Sequence, residues 1–148
     1  MEREPHFREV QRFHQPYIWA LLGAISLLMI VLGPISWGGL VVIGAVATHL
    51  YSLRLQTEVR ADGIYLKMWP LHRSFRRISW SEIERYESTQ YSPLRELGGW
   101  GIRWTPGKLA YNVSGNRGIW IVRTNGRVVL VGSQRPEEFA RAIDEAAQ

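Results

Sequence analysis

The sequence predicts a membrane α-helical hairpin followed by an α+β domain, in which about seven antiparallel strands form a bent sheet or barrel capped by a C-terminal helix. Three observations predict this fold class. Residues 17–53 contain no Asp, Glu, Lys or Arg. After residue 53, apolar and polar residues alternate, as is typical of strands. Near the C-terminus, apolar residues recur at the spacing of one helix face. We therefore divide the chain into an N-terminal segment 1–16, a hairpin 17–53 and a domain 54–148.

The uncharged stretch is too long for one membrane crossing. A bilayer core of about 30 Å needs about 20 helical residues. Gly33-Pro34 ends a first helix, because Pro cannot continue the hydrogen-bond ladder and disfavours helix in the residue before it. Gly38-Gly39 then lets the chain turn back. The stretch predicts two transmembrane helices, 17–32 and 39–53, with a re-entrant or self-associating hairpin as the alternative.

The basic residues around the hairpin predict its orientation. Arg8 and Arg12 precede it, Arg54 and Arg60 follow it, and the connecting turn has no basic residue. Because Lys and Arg near a span favour the cytoplasmic side, we expect a multi-pass protein of the cell membrane with both termini in the cytoplasm. Four aromatic residues are candidate interfacial anchors at the ends of the spans: Tyr17, Trp19, Trp37 and Tyr51.

Small residues in both apolar segments predict close packing of the hairpin on itself, because they let helix backbones approach each other. They are Gly23, Ala24, Ser26, Gly44, Ala45 and Ala47.

Alternation and turn residues predict the strands of the domain. Residues 54–60 alternate, Asp62-Gly63 is a hairpin turn, and Asn125-Gly126 is the strongest of the later turn signals. The predicted strands are 54–60, 64–69, 74–80, 83–90, 100–104, 109–113, 119–124 and 127–131.

A C-terminal helix is predicted after Arg135. Pro136 and two Glu residues occupy its first turn, where Pro is tolerated and acids suit the free N–H groups. Phe139, Ala142, Ile143 and Ala146 then fall on one face, which we expect to cover the sheet.

The net charge of +5 is concentrated in residues 54–134, which hold 13 Lys and Arg against 6 Asp and Glu. Four of these residues form a candidate patch for a membrane or a partner: Lys67, Arg73, Arg76 and Arg77. Such a patch suits anionic headgroups. The alternative is that Arg73 and Arg77 are the solvated side of a strand whose other side buries Phe75 and Ile78.

No catalytic, metal or cofactor site is predicted. The absence of Cys excludes disulfides and thiolate ligands, and the four His residues are too scattered for a local metal motif. A phosphate-binding Gly-rich loop and a Gly-x-Ser-x-Gly elbow are also absent. An enzyme would need distant groups such as Tyr86, Glu87 and Arg103 in one pocket. Nucleic acid is not an expected partner, since the Trp rings that alternate with Arg suit the core.

Several segments carry a resemblance to a known family: 59–65 (VRADGIY), 78–84 (ISWSEIE), 99–103 (GWGIR), 118–122 (GIWIV) and 131–139 (VGSQRPEEF). The order of elements resembles the bacterial pleckstrin-homology-like domains, and residues 7–13 ahead of two spans are similar to small prokaryotic membrane proteins of this build. The resemblance implies seven antiparallel strands, a capping helix and fusion to transmembrane helices. Specific phosphoinositide binding is not expected, because the first hairpin loop, Ala61-Asp62-Gly63, is short and acidic.

Together these features predict a membrane-anchored, non-catalytic binding or scaffolding module at the cytoplasmic membrane face, docking on anionic lipid. The first alternative is a structural subunit of a homo-oligomer or of a larger membrane complex, and the second is an enzyme. The expected partners are the lipid bilayer and either a membrane protein or further copies of this chain.

Overall fold

The computed structural model describes residues 4–34 and 36–148, which form nine strands and four helices. In chain order they are β1 (Phe7–Arg12), α1 (Pro16–Leu32), α2 (Trp37–Ser52), β2 (Arg54–Arg60), β3 (Gly63–Trp69), β4 (Arg76–Ser79), β5 (Ile83–Gln90), α3 (Pro93–Glu96), β6 (Gly101–Thr105), β7 (Lys108–Asn112), β8 (Arg117–Arg123), β9 (Val128–Gly132) and α4 (Pro136–Ala146). The positions of β2–β9 and α4 coincide closely with the runs that the sequence indicated.

The strands form two sheets, with the orders β1-β2-β3-β4 and β5-β8-β9-β7-β6. The prediction of about seven antiparallel strands in one bent sheet or barrel is therefore wrong. β8 and β9 form the hairpin that Asn125-Gly126 indicated, but the other edge of β9 pairs in parallel with β7, from Lys108↔Val128 to Tyr111↔Val131. A parallel pair joins strands that are distant in sequence, so local turn signals do not reveal it.

The N-terminal segment supplies β1, which pairs antiparallel with β2 from Phe7↔Val59 to Arg12↔Arg54. Its inward-facing residues include Glu9 and Gln11 as well as Phe7, and all three are buried. Because polar residues share the inner face, the segment lacks the apolar alternation by which strands are recognised. The helical hairpin is thus inserted between two neighbouring strands of one sheet.

The core lies between the two sheets and α4. Side chains of β2, β3, β8 and β9 meet there, among them Leu55, Ile64, Met68, Ile119 and Val131, which are at most 1% exposed. The C-terminal helix covers this core as predicted, and the ring of Phe139 stacks on Phe7 with 5.1 Å between ring centroids. Through this stacked pair, α4 fixes β1 to the rest of the domain.

The prediction of two membrane-spanning helices is wrong. The helices α1 and α2 have 17 and 16 residues, so at a rise of 1.5 Å each is about 25 Å long, against a bilayer core of about 30 Å. In residues 4–34 and 36–148, none of the helices combines the length and apolar character that a membrane crossing requires. The predicted transmembrane hairpin, multi-pass localisation in the cell membrane and cytoplasmic position of both termini are corrected accordingly. The predicted spans 17–32 and 39–53 were themselves shorter than the roughly 20 residues that a crossing needs, so the prediction gave the absence of charge more weight than helix length.

Candidate functional site

The helical hairpin exposes apolar side chains on most of its surface. Leu22, Ser26 and Met29 of α1 are half-buried, and so are Leu40, Ile43 and Ala47 of α2, at spacings that place each set on one helix face. Neither helix contains a buried residue among those described. The following are at least 40% exposed: Leu21, Ile25, Leu27, Leu28, Ile30, Val31, Leu32, Trp37, Val41, Val42 and Val46. This is the largest apolar surface that the described residues present.

The small residues of the hairpin are divided between its inner and outer sides. Ser26 and Ala47 lie on the half-buried faces, whereas Gly23, Ala24, Gly44 and Ala45 are exposed. At Gly23 and Gly44 a Cβ would meet nothing within 4 Å. Most of the small residues therefore do not pack the hairpin on itself, and the two glycines leave the helix backbone accessible from outside.

Aromatic rings attach the base of the hairpin to the β domain. The Phe13 ring meets those of Trp19 and Trp100 edge to face, with centroids 6.3 and 6.2 Å apart, and the Tyr17 ring lies 5.8 Å from that of Trp100. Between these rings, Gln15 donates from Nε2 to the Val113 carbonyl at 2.8 Å. Two of the four predicted interfacial anchors, Tyr17 and Trp19, thus pack against the domain.

The other two predicted anchors are strongly exposed. Trp37 lies at the far end of the hairpin and is 73% exposed, and Tyr51 lies at its base and is 74% exposed. Tyr51 lines a groove together with Arg12, Arg54 and Trp69.

A buried polar cluster joins β1 to the segment between β9 and α4. The Glu9 carboxylate accepts from the Ser133 hydroxyl at 2.7 Å and from the Gln134 backbone N–H at 2.9 Å. Gln11 Nε2 donates to the Gly132 carbonyl at 2.6 Å. Because β1 leads directly into α1, these bonds also fix where the hairpin leaves the domain.

The structure divides the basic patch predicted from the sequence. Lys67 and Arg77 project from the outer face of the four-stranded sheet, where Arg77 forms an ion pair with Asp62 at 2.9 Å. Arg76 precedes Arg77 on β4 and therefore points to the opposite side. Arg73 lies exposed in the connection before β4. Alternation in β4 thus separates Arg76 from the cations of the outer face.

Two other arginines, which the sequence did not group with Lys67, lie on the same outer face of the sheet. Arg12 of β1 and Arg54 of β2 are direct cross-strand partners, and both are exposed. The sequence did place Arg12 just before the helical hairpin and Arg54 just after it, and an antiparallel pairing of the two flanking segments would bring them together. Using that signal requires knowing that residues 7–12 form a strand.

The groups proposed for an enzyme pocket do not meet. Tyr86 donates its hydroxyl to Asp144 of α4, whereas Glu87 faces the other side of β5. Arg103 lies on β6, at the opposite edge of the five-stranded sheet, and donates to the Trp100 carbonyl at 3.1 Å. Within the described residues there is also no group of three or more His, Asp or Glu placed to hold a metal.

The strongly shifted tyrosines are neutral hydroxyls at ordinary pH. Burial, together with the hydrogen bond to Asp144, raises the pKa of Tyr86 to about 12. Burial likewise raises the pKa of Tyr91 to about 12. Neither group is therefore suited to act as a base near neutral pH.

Comparison with family models, with curated proteins and with solved structures gave no match.

Proposed function

We propose that this chain is a non-catalytic scaffold that self-associates through its helical hairpin and presents its β domain on the assembly. The observation that carries this proposal is the exposure of apolar side chains around both helices, which contain no charged residue. Helices that are apolar on all sides are normally buried, because their contact with water is unfavourable. Scaffolding of this kind does not depend on the resemblance to pleckstrin-homology-like domains, which stays a prediction.

A second copy of the hairpin is the partner that best matches this surface. Two helices about 25 Å long, packed 8–10 Å apart, present a face of roughly 500 Å² in projection, and the side-chain relief adds to it. Stable interfaces bury about 800 Å² per partner, which two hairpins reach by interleaving as a four-helix bundle. Residues 17–53 contain no charge, so identical surfaces meet without repulsion.

The exposed glycines favour close contact between the copies. Gly23 lies in the first half of α1 and Gly44 in the middle of α2, each with open space at its Cβ position. A helix from another molecule can approach the backbone closely at such positions, which increases van der Waals contact.

The experiment is to measure the mass of the full-length protein in detergent-free solution over a range of concentrations, by sedimentation equilibrium. Val31 and Val42 are 68% and 62% exposed. We expect a dimer or larger assembly, and we expect the double variant Val31→Lys, Val42→Lys to be monomeric, because burying two ammonium groups in an apolar interface is strongly unfavourable.

Leu94→Lys is the matched control, since Leu94 is a 61% exposed apolar residue on α3, away from the hairpin. This variant should assemble as the unmodified chain does. A monomer at all concentrations would show the proposal to be wrong. The same holds for a particle whose excess mass is bound lipid instead of a second chain.

A further inference from the structure

The outer face of the four-stranded sheet is strongly basic near the base of the hairpin. On β2 and β3 the buried residues Leu55, Val59 and Met68 point inward. Alternation therefore directs Arg54, Gln56, Glu58 and Arg60 of β2, and Tyr65, Lys67 and Trp69 of β3, to the outer face. Arg8 and Arg12 of β1 and Arg77 of β4 extend this face on both sides.

Two carboxylates near this face, Glu58 and Asp62, are already paired, and Glu4 lines a groove with Arg8 and Arg60 at the end of the face away from Arg12. Glu58 is the one acid that the described strands place on the face, and its side chain is 7% exposed. It interacts with Arg60 at 2.7 Å and with Arg8 at 3.5 Å. Asp62, in the turn after β2, pairs with Arg77 at 2.9 Å.

Three cations on the face have no such partner. In the part of the chain that the structure describes, no carboxylate lies within ion-pair distance of Arg12, Arg54 or Lys67. Arg12 is directly opposite Arg54, an arrangement in which like charges about 5 Å apart at Cβ are destabilising. Lys67 lies diagonally across from Arg54 on β3. The outer face therefore places the charges of Arg12 and Arg54 side by side without a counter-anion, and Lys67, whose ammonium lies 5.5 Å from the Phe75 ring centroid, adds a third charge on the next strand.

The same residues line a concave surface. One groove is bounded by Arg12, Tyr51, Arg54 and Trp69, and an adjoining groove by Arg54, Gln56, Lys67 and Trp69. Each has a volume of about 250 Å³, and the two share Arg54 and Trp69. Arg54 and Trp69 thus border both grooves, with Arg12 at the far side of one groove and Lys67 at the far side of the other.

We propose that Arg12, Arg54 and Lys67 form a binding site for a phosphate-bearing anion, with Trp69 contacting the part of the ligand next to the phosphate. Each guanidinium presents a planar fork that matches two phosphate oxygens, and the Lys67 ammonium adds a third charge. A bound phosphate offsets the repulsion between Arg12 and Arg54 by making an attractive contact with each of them. This inference is independent of self-association through the hairpin.

The test uses inorganic pyrophosphate as the probe and isothermal titration calorimetry on the full-length protein at low salt. We expect saturable binding with one site per chain that weakens as salt is added, because salt screens exposed charges. Arg12→Gln and Arg54→Gln should each raise Kd at least about tenfold, since each removes a charge-assisted hydrogen bond to the phosphate.

Arg127→Gln is the matched control, because Arg127 is an exposed arginine next to the β8–β9 turn of the other sheet and undergoes the same loss of charge. It should leave Kd within twofold. Equal affinity in Arg54→Gln and Arg127→Gln, or the absence of pyrophosphate binding at millimolar concentration in the unmodified protein, would overturn the proposal.

Thermal unfolding shows that the variants fold and separates binding from structure. Removing one of two opposed like charges should leave the melting temperature unchanged or raise it when no phosphate is present. The increase in melting temperature on adding pyrophosphate should disappear in Arg12→Gln and Arg54→Gln and persist in Arg127→Gln. A ligand-induced increase that survives in both variants would contradict the proposed site.

Vesicles identify the source of the phosphate. Uncharged phosphatidylcholine vesicles are compared with vesicles that contain phosphatidylglycerol, with and without excess pyrophosphate. If Arg54→Gln loses pyrophosphate binding but not vesicle binding, the ligand is a soluble phosphate compound. If Arg54→Gln loses binding to the phosphatidylglycerol vesicles as well, the ligand is a lipid headgroup phosphate. The Val31→Lys, Val42→Lys variant should bind pyrophosphate normally, so failure of self-association and failure of anion binding can be told apart.

Discussion

Removing the Glu9 carboxylate should destabilise the β domain, because this side chain joins β1 to the β9–α4 segment. Glu9 is 6% exposed and accepts from the Ser133 hydroxyl and the Gln134 N–H. Glu9→Ala leaves both donors buried or half-buried without this partner. Hydrogen bonds to a charged group contribute about 1.5–3 kcal/mol each, and the relieved desolvation of the carboxylate offsets part of this. We therefore expect a loss of about 2–4 kcal/mol in the free energy of unfolding.

The assay is urea unfolding followed by Trp fluorescence at one fixed protein concentration, because the proposed self-association would make apparent stability depend on concentration. Glu9→Gln keeps the shape and one acceptor oxygen, so it should cost about 1–2 kcal/mol. Glu87→Ala is the control, since Glu87 is exposed on β5, and it should change stability by less than about 0.5 kcal/mol. If Glu9→Gln were as stable as the unmodified protein or more so, the buried carboxylate would be a net cost, and packing of the apolar residues alone would hold β1.

Three further predictions concern the turns and the core, and urea unfolding measures each of them. Gly63→Ala should lower the free energy of unfolding by at least about 2 kcal/mol, because Gly63 has φ +152° and an added Cβ would lie 2.3 Å from the backbone carbonyl oxygen of Ile78 in β4. Gly126→Ala should lower it less, because Gly126 has φ +81° but open space around the Cβ position. Hydrogen bonds from Ser79 hold the pKa of Glu82 below its ordinary value of 4.5. The ionised carboxylate therefore stabilises the folded state above pH 4.5, and this contribution is lost as the pH falls through the lowered pKa. In Glu82→Gln the free energy of unfolding should therefore fall less steeply as the pH is lowered below 4.5. An unchanged pH dependence would show that Glu82 does not contribute in this way. Phe139→Ala should lower the free energy of unfolding by about 3–5 kcal/mol, because the ring is fully buried. A decrease of less than about 1 kcal/mol would show that α4 is not needed to close the core.

The parts of the fold that depend on neighbouring residues could be predicted from the sequence. Asp62-Gly63 and Asn125-Gly126 mark tight turns, and the spacing after Pro136 marks α4, because these signals act within a few residues. The parallel pairing of β7 with β9 depends on contacts between distant segments, which no local signal encodes. The two hairpin helices lie close to the predicted ranges 17–32 and 39–53, at Pro16–Leu32 and Trp37–Ser52. The error was to expect uncharged helices of this length to span a bilayer core that needs about 20 residues.

The same distinction applies to the candidate sites. The cluster of Lys67, Arg73, Arg76 and Arg77 is close in sequence but is divided by the alternation of β4. Arg12 and Arg54 are far apart in sequence, and only the register of β1 with β2 brings them together. Charge counts along the chain therefore find basic segments, whereas the grouping of charges requires the pairing of strands.

The position of the helical hairpin between β1 and β2 makes it, in topological terms, a long insertion in a β-hairpin loop. Its two ends are already adjacent, since Arg12 pairs with Arg54. Closing a loop of residues 13–53 instead of a two-residue turn costs only roughly 3 kcal/mol of chain entropy. The sheet therefore accepts this insertion without a change in the register of β1 with β2.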